Sequence, residues 1–147
     1  MADRIAAFGA NTLASITSHL ADSLYRFVDE LPESGREVRI IVATLFEIKT
    51  LLLELDSKFL DPKFSRLSRE LLDDVVLGMS SCSSSLNDLD GIVLRCSITR
   101  KGSSPRSARK SWTEILSSFR NIEGSTVEAR LNFHRTFLFN LATLLRT

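Results

Sequence analysis

Val38, Ile41, Leu45, Ile48, Leu52, Leu55 and Phe59 follow one another in steps of 3-4-3-4-3-4. On an α-helix that spacing lines up one apolar stripe over three heptads; on a strand it scatters the same side chains over both faces. A segment marked in this way folds as a helix and must bury its stripe against other helices. Additional apolar side chains at Ile40, Val42, Phe46 and Leu53 widen the stripe, so this helix is expected to lie centrally and touch several neighbours.

Start and stop signals extend the helical reading along the chain. The pattern S-x-x-E stands before three apolar-periodic stretches, at Ser34–Glu37, Ser111–Glu114 and Ser125–Glu128. In such a capping box the serine accepts from an orphaned backbone N–H and the glutamate reaches back to the serine's own N–H. Asp61-Pro62 is a fourth start signal, an N-cap carboxylate followed by a proline whose missing N–H costs nothing at the first helical position.

The first helix is expected from Asp3 to Leu31, with Ile5, Phe8, Ile16, Leu20, Leu24, Phe27 and Leu31 inward, stopped by Pro32 and Gly35. The third is expected from Asp61 to about Cys96, along Phe64, Leu67, Leu71, Val75, Met79, Cys82, Leu86, Leu89 and Val93. Gly78 and the serines at 80, 81, 83, 84 and 85 weaken its middle and predict a kink there. They also permit a close helix approach.

Periodicity vanishes from Ser97 to Lys110, where Gly102, Ser103, Ser104 and Pro105 mark a loop. A short helix with Trp112, Ile115, Leu116 and Phe119 then runs from Ser111 to about Ile122 and breaks at Gly124. The last starts at Ser125 and carries Val127, Leu131, His134, Leu138, Leu141 and Leu145. It is still apolar and uncapped at Thr147, so the natural protein is expected to continue. The expected fold is all-α: one domain over 1–147, an antiparallel bundle of four to five helices with a long first helix and a basic loop before the short fourth.

Composition supports a single core of ordinary size, with 147 residues, 44% apolar and 25% charged. Nine Phe stand against one Tyr and one Trp, which suits a core or apolar docking face better than a sugar or nucleotide pocket. Residues 1–90 carry nine Lys/Arg against fifteen Asp/Glu, whereas residues 91–147 carry ten against three. The helices either present an acidic and a basic side or mix the two signs on folding. Cys82 and Cys96 lie on one expected helix, about 21 Å apart at about 1.5 Å per residue, too far for a disulfide. Free thiols and the lack of a secretory h-region make the cytoplasm the expected compartment.

Catalysis has little to stand on. His19 and His134 fall on different helices with no Cys, Asp or second His at metal spacing, and His134 reads as a packed, hydrogen-bonded core residue. Acidic pairs such as Asp29-Glu30 and Asp73-Asp74 read as solvated faces. The phosphate-loop, dinucleotide and nucleophile-elbow motifs are missing. No enzymatic activity, cofactor, metal or small-molecule substrate is expected.

Two features carry functional content. Arg95, Arg100, Lys101, Arg106, Arg109 and Lys110 occur with no acidic residue between Asp90 and Glu114. Such a segment attracts anionic lipid headgroups at about 1 kcal/mol per charge near the surface. Nucleic acid is the weaker candidate, because no aromatic is interleaved and no recognition helix is evident. The second feature is the opening helix, where seventeen residues from Ile5 to Ala21 hold no Asp, Glu, Lys or Arg. Ala2, Ala6, Ala10, Ala14 and Ser18 form a small-residue stripe beside Ile5, Phe8, Leu13, Ile16 and Leu20, a pattern that lets helices approach closely. Asn11, Thr12, Ser15, Thr17, Ser18 and His19 make the segment too polar to insert alone, although it can lie at an interface or self-assemble on release.

In order and pattern the chain resembles the N-terminal helical domains of fungal STAND proteins, the NOD-like receptors of filamentous fungi, and their HeLo-like relatives. The matching pieces are MADRIAAFGANTLASITSHL, EVRIIVATLFEIKTLLLELD, LLDDVVLGMSSCSSSLNDLD, the basic break before Trp112 and RLNFHRTFLFNLATLL. The resemblance implies a signalling domain ahead of a nucleotide-binding module, which recruits a partner or executes cell death by releasing its first helix into membranes. It implies self-association, or pairing with another helical signalling domain, and recruitment from the cytoplasm to an anionic plasma membrane. The stripe departs from the strongest executioner pattern in being alanine-based, with Gly9 its single glycine. The alternative is a protein adaptor that binds helices and never touches lipid.

Overall fold

The computed structural model describes residues 2–26, 35–99, 110, 112–115, 117 and 126–146, with backbone alone at 2–8, 35, 65 and 96–99. Four long α-helices carry the fold: α1 (Ala2–Tyr25), α2 (Gly35–Phe59), α3 (Arg69–Thr99) and α4 (Val127–Leu145). A 3₁₀ turn, Phe64–Arg66, precedes α3. Lys110, Trp112 to Ile115 and Ser117 are helical as well, and no strand occurs among the described residues.

The α2 stripe does what its period requires. Val38, Ile41, Leu45, Ile48, Leu52, Leu55 and Phe59 are all buried, and most of them have no accessible surface. Each such side chain contributes about 1.5–3 kcal/mol of transfer free energy, so the stripe rather than helix propensity holds α2 in place. The expected widening of the stripe is only partly right. Val42 is buried, but Ile40, Phe46 and Leu53 are 41%, 43% and 46% exposed. Phe46 and Leu53 project from a second face of α2, and Ile40 lies about 120° around the helix from Phe46.

Cross-helix pairs give the topology. Arg135 meets Glu47 and Arg146 meets Glu54, so α2 and α4 run parallel side by side. Arg130 and His134 meet Ser85 while Phe137 meets Gly78, so α4 runs antiparallel to α3. His19 meets Asp90, and a groove joins Gly9, Thr12 and Ile16 to Val76, Met79 and Asn87, which makes α1 parallel to α3. Helices consecutive in sequence are therefore antiparallel, and α1–α2–α4–α3 is the order around the bundle. The two ionic pairs join the acidic first part of the chain to the basic last part, so the two signs mix.

Several helix starts differ from the sequence expectation. Asp61-Pro62 opens a turn and not α3: Asp61 Oδ1 accepts from Lys63 N at 2.9 Å, and its carbonyl accepts from Phe64 N. The Phe59 and Phe64 rings, tilted 45° to each other with centroids 4.7 Å apart, pack together at this corner. The α-helix starts eight residues later, where Ser68 Oγ accepts from Leu71 N. The last helix is capped by Thr126, whose side chain accepts from Ala129 N at 3.0 Å; Ser125 lies outside the described residues. Glu128 stays in the first turn, where it complements the helix dipole. Helix α2 begins one residue past Ser34, and α1 ends at Tyr25; the capping serines themselves and the stop at Pro32 lie outside the described residues. Thr126→Ala is expected to cost about 1 kcal/mol in a urea titration, and Ser125→Ala less than about 0.5 kcal/mol.

Helix α3 passes unbroken through Gly78 and its serines. Against alanine, five serines and a glycine cost about 3–4 kcal/mol in propensity. Burial of Val75, Met79, Cys82, Leu86, Leu89 and Val93 on the same helix outweighs that several-fold. The glycine has a packing role: a Cβ at Gly78 would stand 2.1 Å from the Phe137 ring tip, so only glycine admits the ring there. Cys82 is a free, fully buried thiol on the same helix as Cys96, and burial pushes it up to about 12. Trp112 and Ile115 are buried in the common core, as their short helix predicts, while Leu116 and Phe119 lie outside the described residues.

Candidate functional site

The apolar side of α1 is packed inward. Leu13, Leu20 and Leu24 are at most 3% exposed, and Ile16 is half-buried against the core. Ile5, Ala6 and Phe8 lie on the helix, but their side chains are outside the described residues. Of the small-residue stripe, Ala10 and Ala14 are buried and Ser18 is half-buried. Every fourth residue advances about 40° beyond a full helical turn, so a strict four-residue line drifts off the contact face. The buried line continues through Thr17 and Ala21, with Thr17 Oγ1 donating to Leu13 O at 2.6 Å. Between α1 and α3 a groove of about 530 Å³ leaves the Gly9, Thr12 and Ile16 edge open, walled by Met79, Ser80, Ser83, Ser84 and Asn87.

The expected cationic cluster is not assembled among the described residues. Arg95 is exposed on α3 and Lys110 is exposed on the short helical stretch; Arg100, Lys101, Arg106 and Arg109 lie outside the described residues.

A second groove, unanticipated from sequence, lies between α2 and α4. Phe46, Thr50 and Leu51 form one wall, Arg135, Thr136 and Phe139 the other, and its volume is about 620 Å³. Phe46 and Phe139 remain 43% and 53% exposed at its lips. Arg135 Nη1 donates to Glu47 Oε2 at 2.9 Å. Further along the seam Arg146 grips Glu54 with two bonds, Nε to Oε1 at 2.6 Å and Nη2 to Oε2 at 2.8 Å. That grip holds the Glu54 carboxyl below its ordinary value and raises Arg146. The missed signal was the pairing of exposed phenylalanines on two helices far apart in sequence.

Buried polar chemistry is concentrated at Ser85, His134 and Arg130. Ser85 Oγ lies 2.7 Å from His134 Nε2 and accepts from Arg130 Nη2 at 2.9 Å. Arginine only donates, so the serine proton is directed to a neutral Nε2. Burial first, and the Arg130 charge second, pull His134 down to about 4. The serine and histidine have the separation of a nucleophile and base, but at 2% and 3% exposure no substrate reaches them. The trio ties α3 to α4, as the seam position of His134 predicts. Exposed His19 pairs with Asp90 at 3.5 Å. Among the described residues, no three His, Cys, Asp or Glu side chains gather to hold a metal ion, and no helix is long and apolar enough to cross a membrane.

Comparison with protein-family models, curated proteins and solved structures returned no match.

Proposed function

We propose that this bundle is a non-enzymatic signalling domain that works by self-association and by delivering α1 to an anionic membrane surface. One observation carries the reading: α1 keeps Leu13, Leu20 and Leu24 packed inward on a helix that bears no charge for seventeen residues. Released from α2 and α3, that helix presents a continuous apolar face suited to an interface and too polar to span. The basic residues from Arg95 to Lys110 supply attraction to anionic headgroups. The resemblance to fungal NOD-like receptor N-terminal domains supports a reading in which such a domain waits in the cytoplasm and is recruited to the plasma membrane when triggered. A soluble adaptor is the second reading, favoured by the exposed Phe46 and Phe139 at the α2–α4 groove.

Gly9→Glu separates the two. A Cβ at Gly9 meets nothing within 4 Å, so the packed bundle tolerates the change, yet it puts a charge amid the neutral stretch. Dye release from anionic vesicles should fall by about 10-fold or more, with the melting temperature not lowered. Unaltered release would exclude α1 as the acting element.

A further inference from the structure

Helix α2 carries a second seam. Phe46, Thr50, Leu53 and Ser57, with Leu60 just past its end, step by 4-3-4-3, and all five are exposed. They span about 21 Å at about 1.5 Å per residue. The apolar members Phe46, Leu53 and Leu60 alternate with small Thr50 and Ser57, whose size allows another helix to approach closely. Thr50 already donates its hydroxyl to Phe46 O at 3.0 Å and so needs no outside partner.

We infer that this seam pairs with the same seam of a second copy of the chain, antiparallel about a two-fold axis at Leu53. The inference rests on the reading of the domain as self-associating, but uses α2 in place of the packed face of α1.

The flanking charges select the occupant and its direction. On one flank stand Lys49 and Asp56, seven residues apart, and among the described residues neither makes an ion pair. An antiparallel pairing centred on Leu53 brings each Lys49 beside Asp56 of the other copy, twice per dimer. On the other flank stand Glu47 and Glu54, which would repel their counterparts; Arg135 and Arg146 already neutralise them. A parallel pairing instead sets Lys49 toward Glu54 of the neighbour, a carboxylate that Arg146 already holds, and leaves Asp56 facing the turn past Phe59. Shape agrees with charge. The antiparallel register places Leu60, 70% exposed, over Phe46 of the other copy, at the mouth of the 620 Å³ groove.

Sedimentation equilibrium of the full chain from about 1 to 500 μM tests this, the range in which modest specific dimers fall. Wild type should show a reversible monomer–dimer equilibrium. Leu53→Glu should weaken the dimer at least ~100-fold by placing two charges on the axis. Lys49→Asp should weaken it about 10-fold, and Lys49→Asp with Asp56→Lys should restore it to within about 3-fold. Recovery in the charge-reversed pair is specific to this register. A dimer that survives Leu53→Glu, or no recovery in the double variant, overturns the α2 face while leaving self-association standing. A monomer throughout overturns both.

Discussion

Lowering the pH from 6.5 to about 4 is expected to cost the folded domain about 2–3 kcal/mol through His134 alone. In the unfolded chain this imidazole takes a proton near 6.5, whereas in the bundle it resists protonation until about 4. Across that interval the unfolded state binds more protons, so stability falls as pH falls; it is fully present above 6.5. Protonation would also turn Nε2 into a donor facing Ser85, which already accepts from Arg130. His134→Gln retains an acceptor for the serine and removes the titration. Urea titrations at several pH values should show a steep loss for wild type and a much flatter profile for the variant between 6.5 and 4. Glu54 acts in a lower window: its carboxyl is depressed by Arg146, so its contribution is present above the ordinary carboxylate value and disappears below it. Equal slopes for wild type and His134→Gln across the upper window would remove His134 as the cause.

The effect of Gly78→Ala is expected to change sign with its neighbour. In an ordinary helix interior the substitution gains about 1 kcal/mol. Here the new Cβ would sit 2.1 Å from one Phe137 ring atom and 2.6 Å from two more, and the ring packs against the core. Overpacking of this kind costs about 1–3 kcal/mol, so wild type should lose up to about 2 kcal/mol net. With Phe137→Ala the obstruction is gone, and Gly78→Ala should then stabilise by about 1 kcal/mol. The coupling in the double-mutant cycle is therefore about 1–3 kcal/mol. Additive substitutions would mean that the ring turns aside freely.

Those two sites mark where one-dimensional reading works and where it stops. His134 was legible because its position in the 3/4 repeat of α4 fixes an inward direction, and a buried imidazole needs a partner. Its partner Ser85, 49 residues away, was not legible, since a serine in a serine-rich stretch advertises nothing. In sequence Gly78 reads both as a weak point in propensity and as room for a close helix approach; which ring fills that room, Phe137 of another helix, is not legible. Phe46 and Leu53 were read as part of the buried stripe because a second seam on the same helix looks, in sequence, like a wider first one. At the last helix two adjacent cap-competent residues, Ser125 and Thr126, compete, and Thr126 is the one whose side chain reaches Ala129 N. The α1 face was identified by its lack of charge, but only the arrangement of α2 and α3 shows that it is packed away.

That packed face is the centre of the functional account, and liposome co-sedimentation read together with dye release tests it most directly. The full chain should sediment with anionic vesicles, remain in solution with neutral ones, and release dye only from the former. Binding without release would mark a membrane-recruited adaptor; absence of binding to either vesicle would contradict delivery of α1 to the membrane and leave the α2–α4 groove as the working surface.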